Sequence, residues 1–242
     1  MMTTGKFSRA SFIALAILSI FSSLVADAQL PASMTFINSS ALQGANRMND
    51  EFVNVGAFKV KGNSYVLKGA NKSDIYTNLG FAADMPLVYD ANTQTVSVLQ
   101  EDHSKVVDIK LDQLDSFSVK LTNDDIAVVS APAFFVNASR YEPSKKYYLQ
   151  RLTNGSKFNL YKLYKTELRP AALDLAQTSL REFEITPEYY YMDMSTRKEF
   201  VRIRKEGTLK KDFKDNAAAL QALSVDAKTE LKYVRFFDAL NK

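Results

Sequence analysis

Tyr147-Tyr148-Leu149-Gln150-Arg151-Leu152-Thr153-Asn154-Gly155-Ser156-Lys157-Phe158-Asn159-Leu160-Tyr161 decides the fold class. Two strand-like runs, 146–152 and 156–167, flank Thr153-Asn154-Gly155. Asn-Gly is the strongest short hairpin signal, because both residues tolerate positive φ. Upstream, short runs with period-two alternation predict strands over 52–60, 64–68, 86–89, 95–99, 105–111, 116–121 and 126–130. Asp90-Ala91-Asn92-Thr93-Gln94 is turn chemistry and makes a hairpin of its two neighbours. Downstream, 181–186 and 188–194 are two further strands split by Pro187, and 200–204 is a third. Residues 171–179 read equally as a short helix or an excursion loop.

After Gly207 the period becomes helical, with Leu209, Phe213, Leu220 and Leu223 near one face. Ser224 is the expected N-cap of a second helix, in which Ala227, Leu231, Val234 and Phe237 form the core stripe. The expected class is α+β: mainly antiparallel strands and hairpins followed by two C-terminal amphipathic helices. The expected divisions are a signal peptide over 1–28, a loose lead-in over 29–51, a β-rich region over 52–206 and a helical pair over 207–242.

The beginning of the chain reads as an export signal. Lys6 and Arg9 precede an apolar stretch over 10–25, and Ala26-Asp27-Ala28 offers small residues at both positions a signal peptidase requires. Cleavage is expected after Ala28, leaving Gln29 as the new N-terminus. The alternative is an uncleaved anchor, for which the apolar run is shorter than the roughly 20 residues a span prefers. The protein is therefore expected in the periplasm, in the cell envelope or outside the cell.

Composition narrows the chemistry. The chain has no Cys, so neither disulfides nor a lipidated thiol can anchor it, and the core must hold the fold. Removing Lys6, Arg9 and Asp27 lowers the net charge only from +4 to +3. That mixed surface gives no reason to expect nucleic acid. No later segment is apolar enough to span a membrane.

Several stretches together resemble a family of uncharacterised exported proteins of Bacteroidota. They are Asp50-Glu51-Phe52 through Gly62, Met85-Pro86-Leu87-Val88-Tyr89-Asp90 leading into Val96-Ser97-Val98, and Tyr161-Lys162-Leu163-Tyr164. The likeness continues through Tyr189-Tyr190-Tyr191, Lys198-Glu199-Phe200, Leu209-Lys210-Lys211-Asp212-Phe213 and a last helix with Leu231 and Phe237. It covers most of the chain after the signal. It departs at Tyr89-Asp90, where Tyr-Asn is more usual. The resemblance implies an exported β-rich domain with two C-terminal helices and implies no activity.

Catalytic equipment is sparse. His103 is the one histidine and sits in a Gln-Glu-Asp-His-Ser run with the character of a solvated turn. A zinc site wants several N or S ligands. No G-x-S-x-G turn and no phosphate loop occurs. Asp124-Asp125 is the most visible carboxylate pair for a hydrolase, although neighbours on a strand point to opposite faces. Asp90, Asn92 and Gln94 have the spacing that opens a calcium loop but lack its Gly and final Glu. No cofactor is expected.

The tyrosines carry the functional expectation. Tyr161, Tyr164, Tyr189, Tyr190 and Tyr191 lie on expected strands, where alternation should turn some of each cluster outward to meet a partner or ligand. Arg202, Arg204, Lys205, Lys210, Lys211 and Lys214 form a basic face. The leading expectation is a non-catalytic module that binds another envelope protein. The alternative is a glycan or small-molecule binder with a Tyr-lined site, and the third is a carboxylate-based hydrolase.

Overall fold

The computed structural model describes residues 37–38, 53–55, 58–67, 69–99, 106–120, 132–171, 180–197 and 199–242. The expected signal segment with Ala26, Ala28 and Gln29 lies outside these residues, as do His103, Asp124 and Asp125. Among the described residues, thirteen strands join in one sheet. The first half holds β1 (Ile37–Asn38), β2 (Val53–Val55), β3 (Phe58–Lys61), β4 (Asn71–Thr77), β5 (Gly80–Asp90), β6 (Thr95–Leu99) and β7 (Val106–Ile109). The second half adds β8 (Leu114–Val119), β9 (Ala133–Asn137), β10 (Tyr148–Arg151), β11 (Phe158–Pro170), β12 (Leu180–Asp193) and β13 (Val201–Ile203). Three helices follow: α1 (Glu206–Asp212), α2 (Ala217–Leu223) and α3 (Thr229–Asn241).

The spatial order is β1-β7-β6-β5-β4-β8-β9-β10-β11-β12-β3-β2, with β13 also on β12. Every pairing is antiparallel except β3 with β12. The class is α+β.

The sheet curls so that one face encloses an aromatic interior. Phe117 and Phe135 stack with centroids 4.7 Å apart, and Tyr89 and Tyr148 meet them edge-on. Gln94 pins this curl. Its Oε1 accepts from the Tyr148 amide at 3.0 Å and from the Tyr89 hydroxyl at 2.8 Å, tying the β5–β6 turn to β10. Further along that face of β10–β13, the three helices cover a second interior of Leu160, Tyr191, Ile203, Phe213, Phe236 and Phe237. On the opposite face Tyr161, Tyr190, Met192 and Phe200 form a third.

Several differences from the sequence reading have identifiable causes. β4 was not expected, because Asn71-Lys72-Ser73-Asp74 has weak strand propensity. Pairing on both sides, with β5 and β8, outweighs it. β9 was also missed: Ala133-Phe134-Phe135-Val136 is an apolar run without alternation, since both its faces are covered. Pro187 does not split β12. It pairs with Tyr164 on one side, and on the other falls between the last contact with β3, at Glu182, and the first with β13, at Tyr189. No neighbour needs the N–H that proline lacks. The β10–β11 hairpin forms as expected, but neither Asn154 nor Gly155 has positive φ. Gly155 is needed for space: a Cβ there would fall on the side-chain amide of Asn241.

The expected helical pair is three helices. The first periodic stretch breaks after Asp212, which lets Phe213 turn onto Phe158, Phe236 and Phe237. Ser224 closes α2 instead of opening the next helix, its hydroxyl donating to Gln221 O at 2.6 Å. Ala227 therefore lies outside the last helix, which begins at Thr229. Of residues 171–179 only Ala171 is described, its amide donating to Leu180 O at 3.2 Å to close the β11–β12 pair.

Candidate functional site

Alternation along β11 and β12 sorts the five tyrosines onto two faces. Tyr161 and Tyr190 enter the third interior, whereas Tyr164, Tyr189 and Tyr191 face the helix side. The expectation of an outward tyrosine surface is corrected here. Tyr161, Tyr164, Tyr190 and Tyr191 are buried, and only Tyr189 is half-buried. Lateral pairing of β11 and β12 on both edges, with covering layers on both faces, leaves no outward side. Burial pushes the Tyr161 phenol up to about 12, and it raises Tyr164, Tyr189, Tyr190 and Tyr191 as well.

The phenols are tied down by specific acceptors. Tyr164 donates to Gln150 Oε1 at 2.6 Å, Tyr190 to Glu188 Oε2 at 3.0 Å, Tyr191 to Asp212 Oδ2 at 3.0 Å and Tyr189 to Glu230 Oε2 at 3.1 Å. Glu230 also takes Lys162 Nζ at 2.8 Å. The Lys162 side chain is 4 % exposed and stands over the Tyr164 ring at 4.7 Å. Lys162 falls at an inward position of β11, between Leu160 and Tyr164. A buried ammonium is costly unless paired, and Glu230 in the first turn of α3 supplies the partner. A polar seam thus separates the curled aromatic interior from the interior under the helices.

Beside this seam an open groove of about 680 Å³ runs between β12–β13 and the start of α3. Half-buried Tyr189 gives it apolar surface, with Ile203 and Tyr233 buried beneath, and Arg202, Arg204 and Thr229 give it polar groups. Glu188 and Pro187 also border it. The Tyr189 and Tyr233 rings meet edge to face at 5.3 Å. Arg202 reaches Glu188 at 2.6 Å, and Glu188 is also approached by Lys165 at 3.9 Å. Arg204 is exposed and has no ion-pair partner among the described residues.

A second hollow of about 310 Å³ has the opposite charge. Asp193, Glu199 and Asp212 line it together with Phe158, Tyr191 and Phe213. Hydrogen bonds from Ser195 hold the Asp193 carboxyl below its ordinary value. Among the described residues no three His, Cys, Asp or Glu side chains are arranged to hold a metal ion. No helix among them is long and apolar enough to cross a membrane.

Of the expected basic face, Arg202 and Arg204 line the groove, while Lys205, Lys210, Lys211 and Lys214 are exposed elsewhere. Sequence reasoning missed Lys162, Thr229, Glu230 and Tyr233. The readable sign for Lys162 was a charge on the inward register of an apolar strand. Thr229 and Tyr233 carry no comparable sign, since they reach the groove only when α3 docks. A separate apolar patch marks the β4–β5 turn, where Tyr76, Leu79 and Phe81 are 37, 47 and 53 % exposed. No known protein family, curated protein or solved structure matches this chain.

Proposed function

We propose that this chain is an exported, non-catalytic binding module whose groove between β12–β13 and α3 seats a sugar-sized polar ligand. The observation that carries this reading is the groove's combination of size, the half-buried Tyr189 ring and braced polar groups. Its volume of about 680 Å³ lies in the range of small-molecule sites. Tyr189 is held by Glu230, and Arg202 by Glu188, so both side chains are positioned before any ligand arrives. The test is an NMR titration of the isotope-labelled chain with mono- and disaccharides. Shifts confined to residues 187–189, 202–204 and 229–233 are expected. Shifts elsewhere, or none with any sugar, would overturn the reading.

A protein partner is the second reading, favoured by the exposed Tyr76, Leu79 and Phe81 at the β4–β5 turn. A photo-crosslinking residue at position 81, in intact cells, tests it. One reproducible envelope protein, lost when Tyr76 and Leu79 become Ser, supports this reading. Diffuse labelling that these changes do not alter rejects it.

A further inference from the structure

We propose that the ligand of this groove carries an oxyanion, a carboxylate or phosphate on a sugar-sized body, with Arg204 as its principal contact; this rests on the reading of the groove as a ligand seat. The argument is a charge census. Glu188 is already matched by Arg202 at 2.6 Å, with Lys165 at 3.9 Å and the Tyr190 hydroxyl at 3.0 Å. Glu230, behind Tyr189, is matched by Lys162 at 2.8 Å. Each carboxylate in or behind the groove therefore has a cation of its own. Arg204 remains, lining the groove with no ion-pair partner among the described residues.

A neutral ligand would gain nothing from the charge of that exposed guanidinium, whereas a planar or tetrahedral oxyanion matches its fork of donors. The neighbouring hollow sharpens the point. It lies at the other end of β13 and is lined by Asp193, Glu199 and Asp212, so an anion is repelled there. The two hollows flank one strand with opposite signs, and only the larger has a cation to spare. Electrostatic selection between them needs no conformational change.

The test titrates the labelled full chain with glucuronate, glucose and inorganic phosphate at low salt, following the amides of residues 202–204 and 229–233. Glucuronate is expected to bind at least about tenfold more tightly than glucose, an advantage that shrinks as salt is raised. Arg204→Gln should remove that advantage, and Lys210→Gln, on exposed α1 away from the groove, should preserve it. Arg204 is exposed, so its replacement leaves the fold intact, which circular dichroism checks. Phosphate that competes as well as glucuronate also supports an oxyanion seat and identifies the anion, not the sugar, as what is read. Equal binding of glucose and glucuronate in the groove, unaffected by Arg204→Gln, overturns the oxyanion inference and leaves the groove reading standing. No groove shifts with any of the three probes overturns both.

Discussion

The curled region around β4–β9 and the region where β10–β13 meet the helices are built on different principles. In the first, Phe117, Phe135, Ile75, Leu114 and Val96 are almost wholly enclosed, and among the described residues no charged side chain is buried with them. In the second, a lysine and a glutamate lie between the apolar clusters, and an open groove borders them. An apolar interior is stabilised in proportion to the surface it removes from water and has no directional demands. A buried ion pair is sensitive to the loss of either partner but contributes little net stability when intact. Charge enclosed at a cost, next to a concave surface, sets the second region apart from the first.

The largest expected effect spans both regions. Phenols throughout them are held above their ordinary value by burial. The unfolded chain would ionise these groups near pH 10, while the folded chain keeps them protonated. Their contribution is therefore complete below pH 10 and is lost as pH rises through about 12, the folded value of Tyr161. The larger part of the phenolate absorbance at 295 nm, that of the buried tyrosines, should rise together with loss of the far-ultraviolet sheet signal. Ionisation well ahead of unfolding would show that the tyrosines are accessible.

Within the apolar region, Phe117→Ala should destabilise the chain by about 3–5 kcal/mol in urea unfolding, because Phe117 is fully buried and stacked on Phe135. A loss below about 1 kcal/mol would mean the curl closes less tightly than described. In the seam, Lys162→Met should cost about 3 kcal/mol by leaving Glu230 without its cation. Replacing both, Lys162→Met with Glu230→Leu, should recover most of that loss. A double variant as weak as the sum of the two singles would erase the distinction between the regions.

The smallest effect is local. Asn241 clamps the end of α3 to the start of β11, accepting from the amides of Lys157 and Phe158 and donating to the carbonyls of Phe158 and Phe237. Gly155→Ala puts a methyl group on those side-chain atoms and should cost about 1–2 kcal/mol, with faster amide exchange at Lys157 and Phe158. Asn241→Ala should behave alike, and the pair should lose little more than either alone. Full additivity would mean that Gly155 matters for another reason.

These contrasts also mark what could be read from residue order. The β5–β6 hairpin was legible because Asp90 is an inbuilt turn former, its carboxylate accepting from the Asn92 amide at 2.8 Å. The core stripe of α3 was legible in part: Val234 and Phe237 are buried as expected, whereas Ala227 precedes the helix and Leu231 is only half-buried. The tyrosines misled because alternation tells which residues share a face but not whether that face is covered. Arg202 and Arg204 were noted as part of a long basic face, and nothing local separated them from Lys210 or Lys214. Only the docking of α3 on β11, which sets Thr229 and Tyr233 beside Arg202 and Arg204, does so.

Sequence by itself determined the class of this protein: period-two runs and turn residues are local properties, and so is the switch to a helical period after Gly207. The tertiary structure alone decided the joining of β3 to β12, the passage of β12 through Pro187, the burial of the tyrosines and the pairing of Lys162 with Glu230. Each depends on which distant segment lies alongside. That choice comes from the summed burial and pairing of the whole chain, which no short stretch of residues contains.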